Sequence, residues 1–199
     1  MKTKTVFGTL GLLAICATAA AFAARNSRTD DSAALVKALA RSKHSLSDGI
    51  KQVSKGTETA ISAKFEFDDN GKLSLSVYAA EKGLAVDPEH NVLKEYGGSP
   101  EQAAWAPEIE VFKDVAHVAR SAQQQTLMSI TTVSLLDIVA KAEKETKGQV
   151  LSITPGLDGR RPIFAVKTVS ADKVVETKYG LFGDEDDEED EAKEKHEKH

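Results

Sequence analysis

The chain carries one pattern twice, 89 residues apart, and a duplicated unit is the strongest constraint on what it can fold into. Ser45-Leu46-Ser47-Asp48 opens the first copy and Ser134-Leu135-Leu136-Asp137 the second. A serine able to accept a free backbone N–H, with an acid three residues on at the positive end of the helix dipole, marks a helix start. Behind these caps, Leu46, Gly49, Ile50 and Val53 fall on one helical face, as do Leu135, Ile138, Val139 and Ala142. That i, i+3, i+4, i+7 spacing belongs to a helix laid on a core.

Each helix gives way to a polar stretch, Lys55-Gly56-Thr57 or Thr146-Lys147-Gly148, and then to a strand-like run. Ile61, Ala63, Phe65 and Phe67 alternate with polar neighbours, as in a half-buried strand. The second copy offers the shorter Val150-Leu151-Ser152-Ile153. Turn residues follow at Asp69-Asn70-Gly71 and Asp158-Gly159. Returning strands are predicted over Leu73, Leu75 and Val77 and over Phe164 and Val166, and a third run pairs Leu84–Val86 with Lys173–Val175. The register extends from Val86–Leu93 to Val175–Phe182, broken by one compensated slip near the glycine turns. Helical lead-ins are expected over Ser32–Ala40 and Glu108–Met128, and Tyr96-Gly97-Gly98-Ser99-Pro100 as a linker. Trp105 and Phe112 are placed to pack at the junction of the two units.

The formal net charge of −5 is unevenly spread. Residues 184–199 hold ten acids and three lysines, whereas residues 24–183 hold 21 acids and 21 Lys/Arg. A neutral body without a basic stripe argues against nucleic acid as a partner. At the other end, Lys2 and Lys4 precede an apolar run from Gly8 to Ala21, and Ala21-Phe22-Ala23 offers a small-residue cleavage site. Leu13-Ala14-Ile15-Cys16 resembles a lipobox, but Ile15 stands where a small residue is required. The expectation is a cleavable signal peptide, export to the periplasm or medium, and no stable membrane anchor afterwards. The only cysteine, Cys16, leaves with the leader, so the mature body has no disulfide. The chain therefore divides into a leader (1–23), a first unit (24–98), a linker (99–107), a second unit with its lead-in (108–183) and an acidic tail (184–199). Asp184 to Glu191 is an unbroken run of acids, and self-repulsion without apolar residues predicts disorder there.

The second unit resembles a PepSY domain, the small module of thermolysin-like peptidase propeptides and many exported bacterial proteins. The resemblance lies in the Ser-capped helix from Val133 to Lys147, the Gly148-Gln149-Val150 step into a strand, and Arg161-Pro162-Ile163-Phe164-Ala165-Val166. Glu176 to Gly180 stands where the closing turn belongs. Phe164 replaces the usual tyrosine and Glu176 the usual aspartate, while the more degenerate first unit has His90-Asn91 for Thr-Gly. The resemblance implies an α+β fold of two tandem PepSY-like units, each a helix packed on a small antiparallel sheet. It also implies a role in binding or restraining a protein partner such as a peptidase.

Little in the sequence argues for catalysis. Nucleophile-elbow, zinc-protease, phosphate-loop and dinucleotide-binding patterns are all missing from it. The carboxylate pairs Glu108/Glu110 and Asp68/Asp69 fit solvated faces, and His44, His90 and His117 sit beside a cap, a turn and an apolar helix face. The expected function is non-catalytic protein binding by strand addition along Leu73–Tyr78 and Ile163–Thr168. Leu73, Leu75, Val77, Tyr78, Phe164 and Val166 are the candidate contacts. A contrasting expectation makes the tail a loose Ca²⁺ or Zn²⁺ buffer through Asp184, Glu185, Asp186, Asp187, Glu188, Glu189, Asp190, Glu191, His196 and His199. No cofactor is expected.

Overall fold

The computed structural model describes residues 32–183. Within them lie four helices, α1 (32–39), α2 (Leu46–Val53), α3 (Val115–Ile130) and α4 (Leu135–Thr146). The strands are β1 (Thr59–Phe67), β2 (Leu73–Ala80), β3 (Leu93–Gly98), β4 (Glu108–Val111), β5 (Gln149–Asp158), β6 (Arg161–Ser170) and β7 (Lys173–Gly180). All seven strands form one antiparallel sheet in the order β4-β3-β2-β1-β5-β6-β7. No described helix is long and apolar enough to cross a membrane.

The two copies meet at the centre of this sheet. Ala63 of β1 lies opposite Ile153 of β5, and Lys64 opposite Ser152. From that seam each copy runs outward through the same helix, hairpin and third strand. Both capping boxes form: the Ser45 and Ser134 side chains accept from the Asp48 and Asp137 amides, and each aspartate accepts from its serine's backbone in return. The helical faces read from the sequence are the buried ones, Leu46, Gly49, Ile50 and Val53 in α2 and Leu135, Ile138, Val139 and Ala142 in α4. Gly49 has a packing reason, since a Cβ there would stand 2.8 Å from Leu75 Cδ2.

The repeat's register needs two corrections. Bulges fall at Ile61 and Leu151, 90 residues apart, so the slip opens between helix and strand and closes in the hairpin. Leu75 and Phe164 then occupy equivalent places, each opposite an inward residue of its neighbour, Phe65 or Pro155. The second correction concerns the third strand. Leu84–Val86 is not a strand; it lies in the twelve-residue connection 81–92, whereas β6 and β7 are joined by Ala171-Asp172 alone. Both turn residues have positive φ (49° and 59°), as a two-residue hairpin turn requires. The true third strand of the first copy is β3, which includes the Tyr96-Gly97-Gly98 expected as linker.

Glu108–Val111 is likewise a strand rather than the start of a helix. It pairs with β3 at the sheet's margin, and α3 begins only at Val115, capped by Asp114. Trp105 and Phe112 are both buried, each against the first copy: Trp105 Nε1 donates to Gly98 O, and Phe112 stacks on Tyr78. Because neighbouring side chains on a strand alternate between faces, these contacts fix the layers. Leu75 and Val77 touch α2, and Tyr179, paired with Phe164, donates its hydroxyl to Glu145 of α4. On the opposite face Ser62 donates to Gln124 of α3 at 2.8 Å. Helices α2 and α4 thus cover one face and α3 crosses the middle of the other.

Candidate partner-binding groove

The partner contacts expected from the sequence lie in the core. Leu73, Leu75, Val77, Phe164 and Val166 are at most 2% exposed, four of them wholly buried. Their strands are not edges: β2 runs between β1 and β3, and β6 between β5 and β7. The alternation that singled these residues out was a packing signal, because it pointed at α2 and α4 and not at solvent. The free edges of the sheet among the described residues are β4 and β7.

Of the six, only Leu73 and Tyr78 line an accessible surface. Tyr78 sits on the α3 face, where β1 to β4 leave an open groove of about 790 Å³. Serines and glycines make its floor (Ser74, Ser76, Gly97 and Gly98), and short side chains there leave room for an incoming chain. One wall is the start of α3, with His117 and Arg120; the other side ends at β4. Six carboxylates line it, Glu66, Asp68, Asp69, Glu95, Glu108 and Glu110, against Lys64, Lys72 and Arg120. The groove therefore presents net negative charge, unlike the neutral body as a whole.

The ring of Tyr78 has two close partners. Phe112 stacks on it at 5.8 Å, with His117 a further 5.1 Å beyond, and the Lys64 ammonium lies 5.4 Å from the Tyr78 centroid. Burial pushes the Tyr78 hydroxyl up to about 12, although Lys64 works against the rise. Burial acts to lower Lys64, but Glu66 and the Tyr78 hydroxyl outweigh it and raise the ammonium above its ordinary range. Tyr96, on the other face, is pushed up to about 12 by burial and by donating to Glu58 at 2.6 Å. Asp114 is held below its usual value by the His117 backbone N–H and then by the His117 ring, whose Nδ1 lies 2.7 Å away. Each of these shifts favours the charge state the group already has at neutral pH.

The candidate metal ligands of the tail, Asp184 to Glu191, His196 and His199, lie outside the described residues. Within them, Asp87, Glu89 and His90 bring one ligand atom each within 4.8 Å of one another in the 81–92 connection. All three residues are exposed, and His90 Nδ1 is already 2.9 Å from both Asp87 oxygens, so internal hydrogen bonds account for the cluster's geometry. Nothing in the residue pattern announced the groove itself, since it depends on β3 and β4. The strict alternation Glu108-Ile109-Glu110-Val111 was the available signal for the edge strand. No family model, curated protein or solved structure matches the chain.

Proposed function

We propose that this chain is an exported, non-catalytic PepSY-like protein that binds or restrains a protein partner, a peptidase being the class its resemblance implies. The observation that carries the reading is the open groove ending at β4, a strand exposed along its whole length at a free sheet edge. An edge offers backbone hydrogen bonds to an extended segment, and the groove beside it offers pockets for alternate side chains. The helix–hairpin–strand unit occurring twice supports the PepSY-like reading. The leader supports delivery to the periplasm or medium.

Affinity capture from an envelope extract tests this reading, with residues 24–199 and residues 24–183 as parallel baits. Both baits are expected to retain the same defined protein, and that protein's activity, if it is a peptidase, is expected to fall on binding. Capture by the longer bait alone, or by neither, would contradict it.

A further inference from the structure

We propose that β4 is the strand to which the partner adds, and that the segment it accepts alternates basic and apolar residues; this rests on the binding role just given. Phe112 N donates to Leu93 O at 3.0 Å. In an antiparallel ladder, bonded and non-bonded pairs alternate. The next bonded pairs are therefore Glu110 with Glu95 and Glu108 with Gly97, and the backbone N–H and C=O groups of Ile109 and Val111 turn outward. No described strand takes them up.

The side chains set what can be added. Glu108 and Glu110 project on the groove face beside Glu95, while Ile109 and Val111, 57% and 42% exposed, project on the other. No ion pair satisfies Glu95, Glu108 or Glu110 among the described residues. Directly opposed charges of opposite sign stabilise a strand pair and like charges destabilise it. An incoming strand with Lys or Arg opposite the two glutamates and apolar residues opposite Ile109 and Val111 meets both requirements. A second copy does not: pairing two β4 strands about a two-fold axis at Ile109 sets Glu108 against Glu110, and an axis at Glu110 sets that residue against its own copy. At the far edge, two of the three charged side chains of β7 are engaged within the sheet, Lys178 with Asp158 at 2.7 Å and Glu176 with Lys167 at 3.9 Å.

The test is binding of two synthetic peptides to residues 24–199, one alternating lysine with valine and one alternating glutamate with valine. The lysine peptide is expected to bind, to slow amide exchange at Ile109 and Val111, and to lose at least about tenfold in affinity to the double variant Glu108→Lys/Glu110→Lys. That variant is expected to prefer the glutamate peptide. Ile109→Pro removes an outward N–H without touching a bond to β3, so it is expected to weaken the lysine peptide while the fold persists. Failure of the lysine peptide to bind, equal binding of both peptides, or protection elsewhere than β4 would overturn the assignment. A captured partner that binds wild type and Glu108→Lys/Glu110→Lys equally would also overturn it, yet leave the binding role standing.

Discussion

Glu110 lies directly across the β3–β4 ladder from Glu95, on the groove face, with no cation paired to either among the described residues. Opposed like charges cost about 0.2–1 kcal/mol, so this margin of the sheet is less stable than it could be. Glu110→Gln is expected to raise the urea midpoint of the free protein by that amount of stability, with the gain shrinking as salt is added. The same variant is expected to weaken partner binding. A loss of stability at low salt would contradict the unpaired-charge account.

Phe164 separates core from contact surface. It is wholly buried beneath α4, opposite Pro155 on one side and Tyr179 on the other. Phe164→Ala is expected to cost about 3–5 kcal/mol, a large share of the roughly 5–15 kcal/mol of a native protein, by leaving a cavity. Chemical denaturation measures it, and a variant as stable as wild type would reassign Phe164 to the surface.

Gly148 joins α4 to β5 where β6 passes close behind. A Cβ there would run into the Val169 carbonyl, and backbone cannot swing aside as a side-chain tip can. Gly148→Ala is expected to destabilise by about 1–3 kcal/mol through overpacking, although alanine is the better residue in most backbones. Gly71→Ala, at an exposed turn with φ of 69° and open space around it, is expected to cost only its backbone strain.

Two titrations bound the stable pH range. Asp48 is held below its ordinary 3.8 chiefly by the Ser45 backbone N–H, and Asp137 chiefly by the Ser134 hydroxyl. A depressed folded value means stability that is present above the unfolded value and lost as pH falls through the folded one. Asp48→Asn with Asp137→Asn is expected to flatten the acid limb of the stability profile. In the alkaline range the sign reverses. Tyr78 and Tyr96 are pushed from 10.0 up to about 12, so their contribution is present below pH 10.0 and lost as pH rises towards 12. Tyrosinate absorbance followed against pH checks this, and titration of all three tyrosines near 10 would contradict it.

Local chemistry was legible where it acted alone. Ser45 and Ser134 announced their helices, the i, i+3, i+4, i+7 residues were the buried ones, and Gly71 and Gly159 took positive φ in the two hairpins. Long-range pairing was not legible. Tyr96-Gly97-Gly98 has linker composition, yet pairing with both β2 and β4 makes it an inner strand. Pro155-Gly156 looks like a strand breaker, but β1 pairs with β5 only at Ile153 and Ser152, so beyond them no neighbour needs a Pro155 N–H. At Glu108–Val111 the apolar Ile109, Phe112 and Val115 spacing suggested a helix, while the period-two alternation of the same residues was the signal that held.

Hydrogen exchange of residues 24–199, free and saturated with the captured partner, tests the central claim most directly. Strand addition at β4 predicts that the amides of Ile109 and Val111 slow strongly on binding, with smaller changes along the groove floor at Ser74, Ser76 and Gly97. Protection confined to β7 or to residues 184–199, with Ile109 and Val111 unchanged, would contradict it.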